Sequence, residues 1–323
     1  MIKTYSEAIN NALFGAMEID SKVTVIGQLV DTPSGIFGTT SGLFEKFGAE
    51  RVKDFPISEN FMTLYALGLS LGGYKPIVCH QRVDFMLYSL DAIVNWMSLW
   101  YFKSNRKSNV PIVIRAVVGK GWGQGPQHSK SLHSWFASLP GINVAVPSNP
   151  FDIKGLLTEA IFNKVPTIFL ENRALFSMES EVPEEMYQIK FGKSKVLKTG
   201  DDITLVALGI AVPHALKAAH DLEKEGISVE VVDPRTISPL DIQSIQSSCE
   251  KTGRLFVADP DWENFGFASE VIAKISISCA SILKTNPKLI TYPSSHTPMT
   301  KNLEELYYFD SIKIKEIILN AMK

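Results

Sequence analysis

The 323-residue sequence predicts an α/β protein of two doubly wound domains, and three observations carry the prediction. Short β-branched runs alternate with longer runs of helical length, the pattern of a parallel sheet covered by helices on both faces. Gly, Pro and His residues gather just after the strand runs, where open α/β sheets place their ligand sites. The alternation pauses at a polar, Pro-containing stretch, Glu179–Lys190, and then begins again. The expected domains are therefore residues 1–185 and 186–323.

The chain opens on a helix, because Thr4 and Glu7 have capping-box spacing ahead of Ala8, Ile9, Ala12 and Leu13. That start leaves no apolar core for a signal peptide. Strands are expected at Val23–Ile26, Pro76–Cys79, Pro111–Arg115, Val144–Val146 and Thr167–Leu170, with helices at Phe61–Leu71, Leu90–Phe102 and Asp152–Phe162. In the second half the strands are Ile203–Leu208, Val229–Val232, Leu255–Ala258 and Leu289–Tyr292. Its helices are Pro213–Glu225, Leu240–Cys249 and Ala268–Ile282, the first closed by Gly226 as a C-terminal glycine should.

Acids and bases nearly cancel, 34 against 32, and no basic cluster occurs. Nucleic acid and anionic membranes are thereby excluded as main partners. The longest apolar runs are broken by Asp, Asn or Ser, so no membrane span is expected. Cys79, Cys249 and Cys279 are too few and too scattered for a disulfide framework or a zinc site. They read as buried thiols of a cytoplasmic protein.

Glu59 is the most informative acid. It opens a helix in which Phe61, Met62, Leu64, Tyr65, Leu67, Leu69 and Leu71 leave almost no polar face, so burial on every side is expected. An acid held against an apolar wall is poised for proton transfer. It is also an ordinary first-turn acid behind the N-cap candidate Ser58, and on Glu59 alone that plainer reading outweighs the other. The helix Leu90–Phe102 has Asp91, Asn95 and Ser98 on one narrow stripe and aromatics elsewhere. It packs either against another subunit or in a domain centre.

Several segments together resemble the β subunit of the thiamine diphosphate-dependent 2-oxoacid dehydrogenases, the E1 component of pyruvate, branched-chain and acetoin dehydrogenase complexes. They are Gly42–Gly48, Pro56-Ile-Ser-Glu59, Asp91-Ala-Ile-Val-Asn95, Gln127-His-Ser129 with Trp135, Val232–Asp241 and Lys251-Thr-Gly-Arg254. The resemblance spans nearly the whole chain. It implies a pyrimidine-binding transketolase-like domain followed by a transketolase C-terminal-like domain. Glu59 would hydrogen-bond N1′ of the cofactor's aminopyrimidine and shift that ring toward its imino form. Phe85 would stack on the ring, unless it is plain core packing. Gln28 would line the cofactor site, and His128 would face the substrate. Backbone carbonyls of Ala160, Ile161 and Asn163 would hold a monovalent cation such as K⁺.

No Gly-Asp-Gly occurs to serve the diphosphate and Mg²⁺, since Gly200-Asp-Asp is only a turn before a strand. An α subunit is therefore expected to supply that end, in an α2β2 assembly. Gly119-Lys-Gly-Trp-Gly-Gln-Gly125 does not have nucleotide-loop spacing, and its glycines are read as allowing close backbone approach to a ligand.

The chain also departs from the family pattern. Gln28 stands where the family has Glu, Ala92 where it has Gln, and the loop Asp31–Phe37 is unusual. Tyr292–Pro298 diverges where some members dock their lipoyl-bearing core. A split transketolase or an acyloin-forming enzyme working without lipoamide is the alternative, against which Tyr88-Ser-Leu-Asp-Ala92 speaks. A non-catalytic scaffold would need none of Glu59, Phe85 and His128.

Overall fold

A computed structural model describes residues 1–120 and 124–322, which fall into two compact units. The first is Met1–Val118 with Trp135–Phe191, the second Gly119–Ser134 with Gly192–Lys323.

In the first unit parallel strands lie in the order Asn143–Ala145, Thr167–Asn172, Val113–Val118, Lys75–His80, Val23–Gly27 and Val52–Asp54. Every residue of Val23–Gly27, Val113–Val118 and Thr167–Asn172 is buried, as in a sheet covered on both faces. The capping box forms at the first helix, Tyr5–Ile19, with the Glu7 N–H donating to Thr4 Oγ1 at 3.2 Å and the Thr4 N–H donating to Glu7 Oε2 at 2.7 Å.

The expected strand end at Arg115 is an error with a clear cause. A charge reads as a strand terminator, yet the strand runs through it to Val118 because Glu171 lies diagonally opposite. Arg115 donates to Glu171 through Nε at 2.6 Å and Nη2 at 2.8 Å, and both side chains are buried. Burial alone would lower the guanidinium pKa; the Glu171 charge outweighs it and the net shift is upward.

The polar stretch after residue 178 stays with the first unit. Glu179–Glu181 pairs antiparallel with Ile2–Thr4. Lys154, fully buried on the Pro150–Phe162 helix, donates to the carbonyls of Pro183, Glu184 and Glu185 at 2.5, 3.0 and 3.0 Å. Three carbonyls satisfy the three ammonium protons, so this segment is strapped down.

The expected Leu90–Phe102 helix is interrupted. Ala92–Met97 forms a π-helical turn, with the Ser98 N–H donating to the Ile93 carbonyl, and Trp100–Lys103 resumes as an α-helix. The extra residue breaks the polar stripe: Asp91 and Asn95 stay exposed while Ser98 is buried. Tyr88, Trp96, Tyr101 and Phe102 remain exposed, Phe102 by 80%. A domain-centre helix would have hidden them.

His80 ends its strand with both ring nitrogens buried and without a hydrogen-bond partner among the described residues. Burial pushes its pKa down to about 3. The folded state thus resists a proton that the unfolded chain accepts near pH 6.5. Stability is full above that pH and falls by roughly 1.4 kcal/mol per unit as pH drops toward the folded value. Urea unfolding across this window should be visibly flatter for His80→Leu. Equal slopes would show that His80 does not govern the acid sensitivity.

The second unit holds a five-stranded sheet, ordered Lys288–Tyr292, Leu255–Trp262, Ile203–Ala207, Val229–Asp233 and Lys195–Lys198. Only the last strand is antiparallel, and the sequence did not announce it. The helix expected from Leu240 starts at Ile242 because Asp241 takes the cap, accepting the Ser244 N–H at 3.3 Å. Leu205, Ala215, Phe256, Phe309 and Ile314 belong to its core. No described helix is long and apolar enough to cross a membrane.

Candidate active site

Three neighbouring parallel strands of the first unit end side by side, with Gly27 in register with both Asp54 and Cys79. The chain leaving each strand carries one expected residue: Gln28 after Val23–Gly27, Glu59 after Val52–Asp54, and Phe85 after Lys75–His80. Side chains from three separate stretches thus gather at one carboxyl edge. A Cβ on Gly27 would fall 2.6 Å from the Cys79 carbonyl oxygen, so only glycine passes this corner. Beyond it Leu29 adopts φ 59°, with its N–H donating to Asp54 Oδ1 at 2.6 Å.

Gln28 is half-buried and reaches the turn that bears Glu59. Its Nε2 donates to the Pro56 carbonyl at 3.4 Å and lies 3.8 Å from Met62 Sδ. Phe85 sits on the short helix Val83–Met86. The chain that follows is tied to the first turns of the Glu59 helix: Thr63 Oγ1 donates to Ser89 Oγ at 3.0 Å, and the Ala92 N–H donates to Asn60 Oδ1 at 3.3 Å.

Glu59 begins the helix Glu59–Leu71, and two expectations about it fail. Ser58 occupies the cap position but makes no side-chain cap hydrogen bond. The helix is not buried on every side. Met62, Thr63, Ala66, Leu67 and Ser70 face the interior, while Phe61 is 55% exposed and Leu71 is exposed too. Only one side meets the rest of the chain, and the opposite apolar side extends from Ile57, itself 86% exposed. The Glu59 carboxylate is half-buried and has no hydrogen-bond or ion-pair partner among the described residues.

His128 belongs to the second unit and follows a 3₁₀ turn, Gly125–Gln127. Part of the preceding glycine-rich run, Gly121, Trp122 and Gly123, lies outside the described residues. Gly125 is needed for a protein contact, since at φ 60° its added Cβ would fall 2.4 Å from Met299 Cγ. The close approach there is by a side chain of the same unit.

Ala160 and Ile161 end the Pro150–Phe162 helix, just before Thr167 starts its strand, so they lie at the sheet's amino edge and not with Glu59. Asn163 Oδ1 accepts from the N–H groups of Lys164 and Val165 at 2.6 and 3.2 Å. That leaves the Ala160 and Ile161 carbonyls without a backbone donor among the described residues.

Sequence reasoning missed a buried cluster in the second unit. His133 Nε2 lies 2.7 Å from Asp259 Oδ1, and Nδ1 lies 3.8 Å from Asp261 Oδ2. The alternate acids of Asp259-Pro-Asp261 at a strand end were a signal, because they share one face. Nothing local marked His133 as their partner.

The chain matches two family profiles: transketolase, pyrimidine binding domain, over residues 3–178, and transketolase, C-terminal domain, over residues 192–314. It is 36% identical to the β subunit of acetoin:2,6-dichlorophenolindophenol oxidoreductase of Cupriavidus necator, covering 98% of this chain and 96% of that one. Identity to the 2-oxoisovalerate dehydrogenase subunit β of Bacillus subtilis is also 36%, covering 97% of each. To the pyruvate dehydrogenase E1 component subunit β of the same organism it is 38%, covering 92% of each. Among solved structures, an inactive β4 tetramer of a split-gene transketolase superposes with a TM-score of 0.80 at 23% identity, covering 98% of this chain and 97% of that one, which shows the fold. With its three ligand-edge residues in place and near-full-length identity to such subunits, the chain belongs to the transketolase-like family of 2-oxoacid dehydrogenase E1 β subunits.

Proposed function

We propose that this chain works as the β half of a two-component, thiamine diphosphate-dependent 2-oxoacid dehydrogenase, with an α subunit holding the diphosphate and Mg²⁺. The observation that carries this reading is the Glu59 carboxylate, half-buried and unpartnered among the described residues at the carboxyl edge of three parallel strands. A carboxylate placed so fits a heteroaromatic ring nitrogen that needs a hydrogen-bond partner. When bound, the cofactor supplies the electron sink that lets a 2-oxo acid lose carbon dioxide.

The chain's own residues orient and protonate. Glu59 holds a proton against N1′ of the aminopyrimidine. Phe85 lies flat on that ring, adding roughly 0.5–1.5 kcal/mol beyond its area burial. Gln28 lines the same edge without charge, and the imidazole of His128 exchanges a proton with the substrate. The carbonyls of Ala160 and Ile161, with that of Asn163, hold K⁺ and steady a helix end away from the chemistry. Exposed Tyr88, Trp96, Tyr101 and Phe102 suit burial in an α2β2 assembly, since soluble chains rarely leave such a patch open. The three buried, unpaired cysteines agree with a cytoplasmic setting.

The test mixes this chain with its α subunit, thiamine diphosphate, Mg²⁺ and a panel of 2-oxo acids, and follows reduction of an artificial electron acceptor. Reduction that needs both chains supports the proposal. Acyl transfer to a lipoyl-bearing protein would then define the physiological acceptor. Carbon dioxide or a carbon–carbon product without acceptor reduction would instead favour the split-transketolase or acyloin-forming alternative.

A further inference from the structure

The segment that carries His128 is fastened to the second unit at several points. The Gly119 N–H donates to the Lys130 carbonyl at 3.1 Å and closes the base of the loop. Lys120 Nζ lies 3.4 Å from Glu304 Oε2, and Gly125 packs against Met299. Surface fastenings of this kind contribute little to rigidity when one partner is solvated, as Lys120 is. The far end of the segment is different.

There Asp259 and Asp261 grip two consecutive residues. Leu132 is a buried, non-glycine residue at φ 56°, a conformation that persists only where the surroundings over-determine it. Its N–H donates to the Asp261 carboxylate. His133 follows, with its ring between the two carboxylates and 1% of its side chain exposed. The other oxygen of Asp259 accepts the Ala268 N–H at 3.0 Å, and Asp261 also accepts the Trp262 N–H at 2.9 Å. Both acids are therefore fixed before they meet the histidine. Burial works against charge on His133, but Asp259, by charge and hydrogen bond, and Asp261, by charge, lift its pKa above the ordinary value. Ser129, directly after His128, and Asp261 line one small cavity, so the clasp reaches the residues beside the imidazole.

We propose that His133 is a positioning residue: clasped by Asp259 and Asp261, it fixes the backbone of Gln124–Ser134 and so the place of His128. The consequence for turnover rests on the reading of His128 given above, and the consequence for segment order does not. A displacement well under 1 Å at a proton-exchanging group is enough to slow chemistry without weakening binding.

The experiment uses the assembled holoenzyme with His133→Gln, which removes the charge, and with the milder Asp261→Asn, which serves if the first does not fold. Amide hydrogen exchange over Gln124–Ser134 should rise at least tenfold while exchange in Ile203–Ala207 stays unchanged. Turnover should fall about tenfold, with KM and cofactor affinity within twofold of the parent. Unchanged exchange in the folded variants overturns the proposal. So does raised exchange with full turnover, provided His128→Ala is inactive. If His128→Ala is itself fully active, the role given to His128 fails, and exchange alone then decides whether His133 positions the segment.

Discussion

Replacing Glu59 with alanine is expected to cut turnover of the assembled enzyme by roughly 10²–10⁴-fold, the range for loss of a positioned acid–base group. Folding and assembly should be unaffected, because the carboxylate has no hydrogen-bond or ion-pair partner in its own chain among the described residues. Glu59→Gln keeps a hydrogen-bonding side chain but cannot hold the proton in the same way, and should fall in the same range. The measurement is kcat in the holoenzyme, with the thermal midpoint and the stoichiometry with the α subunit as controls. A Glu59→Ala enzyme with full turnover would return this family member to the scaffold reading.

Neutralising Glu171 should have the largest effect on stability. Glu171→Gln leaves the Arg115 guanidinium buried between strands with no counter-charge, which costs about 3–5 kcal/mol. Its remaining contacts, Thr39 Oγ1 at 3.4 Å and Cys79 Sγ at 3.7 Å, are long and neutral. The double variant Arg115→Met with Glu171→Leu should recover most of the loss, because the desolvated charges go together. Urea unfolding of the isolated chain measures both. A loss below 1 kcal/mol for Glu171→Gln would mean that water reaches the guanidinium.

Legibility followed physical range. The alternation of strands and helices was readable because it is local, and the capping box at Thr4 and Glu7 formed as its spacing required. The three ligand-edge residues were readable because strand order brings together chain segments that each carry a motif. Charge inside a strand was not readable: Arg115 looks like an end until Glu171, 56 residues away, is placed beside it. His133 and Asp259 are separated by 126 residues, and no local pattern can announce such a pair. Glu59 was expected deep in an apolar enclosure because the helix composition was averaged over all its faces. The structure buries one face and leaves Phe61 and Leu71 exposed on another.

The π turn at Ala92–Met97 makes the count of residues in that stretch matter as much as their identities. Deleting any one of them would restore ordinary α-helical pairing and swing everything downstream by about 100° around the helix axis. Tyr101 and Phe102, now outward, would turn toward the sheet, and the face offered for assembly would be scrambled with every side chain still present. Point changes there are therefore graded in their effect, whereas a single-codon deletion is all-or-none for the quaternary structure.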